Sequence, residues 1–225
     1  MMFYEYHIHP EIDLEGMITN LEKLGWRGVC FVCESLERIE ELKKNLGKMK
    51  IDVSFGYKIQ TGKPNNIAKI AKGIRKKVEI ITVFGGDPEI NRKACETSEV
   101  DILTHPEKGE NHGLDHVMAK LAKKNNVSIE FNFRELLHTY KKSRANLFSK
   151  MLANAKLVRK FRSPFVLTSG ALDPWDVRSP SELISFGRIL GFNPKDVKLN
   201  LTGEMIKENR KRLGKKWVMP GVELE

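Results

Sequence analysis

The chain has 225 residues, 40% of them hydrophobic and 30% charged, with a formal net charge of +10. That length and core content predict one large α/β domain, and the basic balance predicts a polyanionic partner, nucleic acid first. The sequence lacks both an apolar run of about 18 residues and a leader pattern, so we expect a cytoplasmic protein without membrane association.

Seven short apolar runs predict β-strands, and a weaker run predicts an eighth. They cover residues 3–9, 28–33, 51–59, 78–85, 101–105, 127–132 and 165–170, with the weak one at 197–201. The second run contains Cys30 and Cys33, which we interpret as buried thiols and not as a zinc or redox pair.

Amphipathic segments separate the strands and predict helices. Helix-start residues precede several of them: Ser35, Asp115 and the Ser179-Pro180 pair. Strands that alternate with helices predict a parallel sheet, and their number favours a closed TIM-like (β/α) barrel of seven or eight strands. A doubly wound open sheet is the alternative. We expect a single domain over residues 1–217 and a short C-terminal tail over 218–225.

Polar side chains follow several strands, where the active groups of parallel barrels gather. The His7-x-His9 pair and the Asp101-x-Leu-x-His105-Pro element resemble the polymerase-and-histidinol-phosphatase (PHP) family of barrels. That resemblance implies a metal centre of histidines and carboxylates. However, Lys58 stands where the family has a glutamate, and Ser169-Gly170-Ala171-Leu172 replaces its acid and histidine. We therefore expect no bound metal, with the three histidines as a remnant.

Three longer segments carry a closer resemblance. They read "DILTHPEKGENHGLDHVMAKLAKKNNVSIEFN" (101–132), "RANLFSKMLANAKLVRKFRSPFVLTSGA" (144–171) and "WDVRSPSELISFGRILG" (175–191). Together they are similar to the protein component 3 family of archaeal ribonuclease P. The resemblance implies a PHP-like barrel in the ribonucleoprotein endonuclease that removes the 5′ leader from precursor tRNA.

The same resemblance implies the chain's partners and its place in catalysis. Those partners are the ribonuclease P RNA, a small ferredoxin-like subunit, the other ribonuclease P proteins and, indirectly, precursor tRNA. It also implies that the RNA carries the catalytic centre and its Mg²⁺, so that the chain alone binds no cofactor and is noncatalytic. A metal-dependent phosphoesterase and a general RNA chaperone are the alternatives.

Basic residues supply the candidates for RNA contact. No Asp or Glu occurs between Leu136 and Leu172, although eight lysines and arginines do. The candidates in this run are Lys141, Lys142, Arg144, Arg159, Lys160 and Arg162. A second cluster supplies Arg210 and Arg212, and the turns after the strands supply Arg92, Lys108, His112, His116, Arg134 and Arg178.

Arg178 is the strongest single candidate, because Ser179-Pro180 places it beside a helix start. A salt bridge to Asp173 or Asp176 is the alternative role. The aromatic residues do not interleave with basic ones along the chain, so we expect binding to RNA shape and backbone and not to bases. The apolar helix around residues 145–158 is either a protein interface or simply buried.

Overall fold

The computed structural model describes residues 2–47, 49–109 and 113–214, and the backbone of 217–219 and 222–223. Seven parallel strands follow the order of the chain, each paired with the next. They are β1 Tyr4–Ile8, β2 Gly28–Cys33, β3 Asp52–Ile59, β4 Ile80–Phe84, β5 Ile102–Thr104, β6 Ser128–Asn132 and β7 Phe165–Thr168. All seven expected strands are present, and the sheet curves into a nearly closed TIM-like barrel, which confirms the predicted fold class.

Helices connect the strands and cover the outside of the barrel. They are α1 Leu14–Lys23, α2 Leu36–Asn45, α3 Asn66–Ile74, α4 Pro88–Glu96, α5 His116–Asn125, α6 Phe133–Leu137, α7 Lys141–Phe161, α8 Pro180–Ile189, α9 Pro194–Asn200 and α10 Glu204–Leu213. The expected start signals work as helix caps: Ser35 and Asp115 accept backbone N–H groups, and Ser179 forms a capping box with Glu182.

Two hydrophobic layers hold the barrel together. The outer layer lies between the strands and the apolar faces of the helices, such as Met17 and Leu21 of α1. The inner layer joins Tyr6, Val32 and other strand residues to Ile206 of α10. This alternation of side chains along each strand is the packing of a filled barrel.

The expected eighth strand at 197–201 is wrong, because this segment belongs to α9 and the residue that ends it. Asn193 caps the helix by accepting the N–H of Lys195, and Pro194 occupies its first position. Val197 and Leu201 are buried four residues apart, which is helical spacing. A run as short as this fits both the strand and the helix periodicity, and the N-cap at Asn193 favours the helix.

The missing strand leaves a seam between β1 and β7. At one end Ile8 pairs with Ala171, and the N–H of His9 donates to the Ala171 carbonyl over 2.9 Å. Between these strands the buried Glu5 carboxylate accepts the backbone N–H and the hydroxyl of Ser169, over 3.0 and 2.7 Å. At the other end the Tyr4 N–H donates to the Leu201 carbonyl. Side-chain and loop contacts thus replace a strand.

Helix α10 lies at the end of the barrel where the strands begin. Asn209 donates to Asp101, directly before β5, over 2.8 Å. Arg210 donates to both carboxylate oxygens of Asp52, the first residue of β3, over 2.7 and 2.9 Å. The opposite end, where the strands finish, is called the tip end below.

Three smaller expectations concern the tail, the membrane and the cysteines. The backbone at Trp217–Met219 and Val222–Glu223, which begins at the last residue of the expected domain and continues into the expected tail, forms a two-stranded antiparallel sheet. Over the described residues, no helix combines the length and the hydropathy needed to cross a bilayer. The prediction that Cys30 and Cys33 are buried thiols is confirmed, and Cys95 is a buried free thiol as well.

Candidate nucleic-acid interface at the tip end

The expected histidines converge inside the tip end of the barrel. The ring centroid of His7 lies 4.7 Å from that of His9 and 6.2 Å from that of His105. His7 Nδ1 lies 2.6 Å from Glu130 Oε1, which also accepts the Thr168 hydroxyl over 2.7 Å. Burial would raise the pKa of Glu130, but His7 above all, with His105 and Thr168, lowers it to about 2.

These side chains do not fit a metal ion. Nowhere in the described ranges do three or more His, Cys, Asp or Glu side chains come together in a way that could hold one. The Lys58 and Lys108 ammonium groups lie 5.8 and 5.0 Å from the Phe84 ring centroid, and that ring packs against His105 at 5.2 Å. Both lysines lie beside the histidines and engage nearby acids, Lys58 with Glu34 and Lys108 with Glu135. The geometry therefore does not favour the phosphoesterase alternative.

The acid-free basic run divides between the two ends of the molecule. Helix α7 has 21 residues and is therefore about 31 Å long. Its first turn lies at the tip end and carries Lys141, Lys142 and Arg144, all exposed. Its last turn and cap carry Arg159, Lys160 and Arg162 toward the other end. The run thus forms two separate basic regions.

Three of the candidates in the segments that follow strands pair with carboxylates. Arg92 lies 3.2 Å from Glu96 on α4, and Lys108 lies 3.2 Å from Glu135. Arg134 Nε donates to Asp176 Oδ2 over 2.7 Å, and His138 shares the same carboxylate at 2.6 Å. Burial would raise the pKa of Asp176, but the hydrogen bonds from His138 and Arg134 lower it. These partners reduce the positive charge that the three residues offer to RNA.

Four of the candidate cations lie at the tip end and have no acidic partner within the described ranges. They define the upper basic surface: Lys141, Lys142, Arg144 and Arg178. Arg144 Nε donates to the Thr139 carbonyl over 2.6 Å. Arg178 Nη2 donates to the Trp175 carbonyl over 2.9 Å, and its guanidinium carbon lies 5.8 Å from the Phe133 ring centroid. The alternative salt bridge of Arg178 to Asp173 or Asp176 does not form.

The second predicted cluster lies far from the upper basic surface. Arg210 and Arg212 are on α10, at the opposite end of the barrel. Besides Asp52, the Arg210 guanidinium contacts Glu79 over 3.5 Å and the Val53 carbonyl over 2.8 Å. Arg210 therefore connects α10 to β3, and this contact leaves little of its charge available.

The two remaining candidates are histidines. His116 is exposed and is the first residue of α5 at the tip end. His112 lies outside the described residues. The RNA-binding role of each basic candidate stays a prediction.

Asp176 is a residue whose importance the sequence did not show. Its carboxylate holds Arg134 and His138 and also accepts the Leu172 N–H over 3.3 Å. Asp176 is 42 residues away from Arg134 along the chain, so no local pattern connects them. Trp175, the residue before it, has an 84% exposed side chain.

Comparison with known proteins agrees with the family resemblance found in the sequence. The family model described as RNase P subunit p30 matches residues 2–213. A ribonuclease P protein component 3 from Methanococcus maripaludis is 35% identical over 97% of this chain and 97% of its own length. A chain in a cryo-EM structure of archaeal ribonuclease P with mature tRNA is 32% identical, with a TM-score of 0.85 over 97% of both chains.

More distant structures share only the fold. Ochratoxinase from A. niger is 11% identical, with a TM-score of 0.56 over 91% of this chain and 70% of its own. The family match and the high-coverage relative together confirm the resemblance found in the sequence. The chain is a member of the ribonuclease P subunit p30 family, which includes the archaeal protein component 3.

Proposed function

We propose that this chain is a protein subunit of ribonuclease P and that its upper basic surface binds the RNA of that enzyme. Relatives that align along nearly their whole length carry the name protein component 3 of this enzyme. The observation that carries the RNA-binding role is the set of four tip-end cations without acidic partners in the described part of the chain. Such groups are available to neutralise phosphates.

The mechanism is electrostatic. A compact RNA brings phosphates close together, and each lysine or arginine placed between them lowers their repulsion. Lys141 and Lys142 act as point charges, whereas Arg144 and Arg178 offer planar forks that bind phosphate oxygens in pairs. The barrel supplies a rigid base that holds these groups at fixed positions.

Catalysis in this proposal belongs to the RNA. The endonucleolytic removal of the 5′ leader from precursor tRNA takes place at the RNA's own Mg²⁺ ions, and this chain lowers the Mg²⁺ concentration that the RNA needs. The poor fit of His7, His9 and His105 to a metal ion supports a noncatalytic role for the chain itself.

The proposal includes protein partners as well. A small ferredoxin-like subunit, together with the other ribonuclease P proteins, completes the particle, and precursor tRNA meets the chain only through the RNA. Of the residues of α7, only Met151, Asn154, Ala155 and Val158 are buried. The other apolar side chains of this helix are accessible to a protein partner.

The test is reconstituted cleavage of precursor tRNA by the ribonuclease P RNA, with and without this chain, at limiting Mg²⁺. We expect the chain to lower the Mg²⁺ concentration required for half-maximal cleavage, and the isolated chain to cleave nothing. An unchanged Mg²⁺ requirement, or turnover of precursor tRNA by the chain alone, would contradict the proposal.

A further inference from the structure

Two large aromatic side chains lie exposed among the tip-end cations. Trp175 is 84% exposed and Tyr140 is 68% exposed. Asp176 joins the two chain segments that carry these rings. It directly follows Trp175, and its carboxylate binds His138, which lies two residues before Tyr140. Trp175 and Tyr140 come from separate parts of the chain, so this link between them is absent from the sequence pattern.

The backbone around Trp175 is held firmly. Asp173 Oδ1 accepts the Trp175 N–H over 2.8 Å, and Asn20 donates to the Pro174 carbonyl over 2.9 Å. The Trp175 carbonyl itself accepts from Arg178. The backbone that carries the exposed indole is therefore held in place, which reduces the backbone entropy lost when a flat partner binds.

Positive charge accompanies both rings. The Arg144 guanidinium carbon lies 5.3 Å from the Tyr140 ring centroid, and Arg178 is attached to the Trp175 carbonyl. Two carboxylates lie nearby. Asp176 is buried and bound to Arg134 and His138, and Asp173 accepts the backbone N–H groups of Trp175 and Asp176. Exposed rings beside cations that have no acidic partner among the described residues complement a ligand that is both flat and anionic.

We infer that Trp175, with Tyr140 as a second exposed ring, is a stacking platform for an unpaired nucleotide of the bound RNA. Base stacking on an aromatic ring, with cations on the adjoining phosphates, is how proteins hold single-stranded nucleic acid. This inference rests on the proposed function and adds the feature that is recognised: an unstacked base next to the phosphates that bind Arg178 and Arg144.

The experiment compares the full-length wild type with Trp175→Ala and Trp175→Phe. The probes are a short RNA hairpin with an unpaired loop and a fully paired RNA duplex with the same number of phosphates. Affinities are measured over a range of salt concentrations. Ile189→Ala is the matched control, because Ile189 is a large apolar side chain that is 64% exposed on α8.

Stacking predicts a specific pattern of results. The wild type binds the hairpin more tightly than the duplex, and Trp175→Ala weakens hairpin binding by roughly 5- to 100-fold. Trp175→Phe retains most of the affinity, and the salt dependence of the wild type and both variants is equal because stacking releases no counterions. Hairpin binding also quenches a part of the indole fluorescence that is missing in Trp175→Phe, a variant that keeps the two other tryptophans, Trp26 and Trp217.

Other results would overturn the inference. One is that Trp175→Ala binds the hairpin as tightly as the wild type does. Another is that Trp175→Ala lowers the affinities for the hairpin and the duplex by the same factor. A variant that keeps RNA affinity but loses another ribonuclease P protein would show a protein interface instead. Failure of the wild type to bind either RNA would be a failure of the proposed function itself, so the two ideas are separable.

Discussion

His7 and Glu130 form a buried ion-pair geometry across the barrel interior, with His7 Nδ1 2.6 Å from Glu130 Oε1 and both side chains at most 1% exposed. The pair joins the first strand to the sixth. At the seam nearby, a second buried carboxylate, Glu5, accepts hydrogen bonds from Ser169 and from the His7 backbone N–H. The two acids have opposite consequences for stability.

Glu130→Gln should destabilise the fold at neutral pH. The pKa of Glu130 is about 2 in the folded chain and 4.5 when unperturbed, so its contribution is complete above pH 4.5 and lost as pH falls toward 2. At pH 7 we expect a loss on the order of 3 kcal/mol, measured by urea unfolding. The difference from wild type should shrink at pH 4, and equal stabilities at pH 7 would contradict the assignment.

Glu5→Gln should have the opposite effect. Burial raises the pKa of Glu5 to about 7, so between pH 4.5 and 7 the unfolded chain releases the proton that the folded chain keeps. Wild-type stability therefore falls as pH rises through this window. We expect the variant to melt at a higher temperature than wild type at pH 8 and at a similar temperature near pH 5. A variant that is less stable at pH 8 would refute this explanation.

Lys141→Gln with Lys142→Gln should weaken RNA binding and flatten its salt dependence. If each lysine neutralises one phosphate, the log–log slope of affinity against salt falls by about 0.7 per contact on single strands. Filter binding over a series of salt concentrations measures this slope. The control is Lys207→Gln with Lys211→Gln on α10, which pair with Glu204 and Glu208. Equal changes in slope for both pairs would exclude a localised surface.

Arg210→Ala should affect folding and not RNA binding. The side chain donates to Asp52 and to the Val53 carbonyl at a partly exposed site. Burial raises the pKa of Asp52, but the hydrogen bonds from Arg210 and Tyr4 lower it by more. We expect a loss of about 1–2 kcal/mol in unfolding free energy, with an unchanged salt slope. A reduced slope without loss of stability would show that α10 contacts RNA.

The sequence predicted the seven strands because short segments rich in apolar residues, some nearly continuous as in Gly28–Cys33 and Ile80–Phe84, lie between polar turns. It failed at residues 197–201, where a run as short as this fits either periodicity. Asn193 and Pro194 were the decisive signals, and they are visible in the sequence once helix caps are weighed before apolar runs.

The candidate site was predictable to a smaller extent. Parallel strands end on the same side, so the meeting of His7, His9 and His105 follows from topology alone. Whether a cation is free or paired depends on which acid faces it in three dimensions. Arg178 lies close to Asp176 in the sequence, yet the arginine that binds this carboxylate is the distant Arg134.

The seam between β1 and β7 has a consequence for biosynthesis. Ile8 finds its partner Ala171 only after most of the chain has been translated, which at about 5–20 residues per second leaves the edge of the first strand uncovered for roughly 10–30 s. An uncovered strand edge invites pairing with other chains. We therefore expect nascent copies of this protein to be most prone to pairing with other chains until residues 165–171 have emerged from the ribosome.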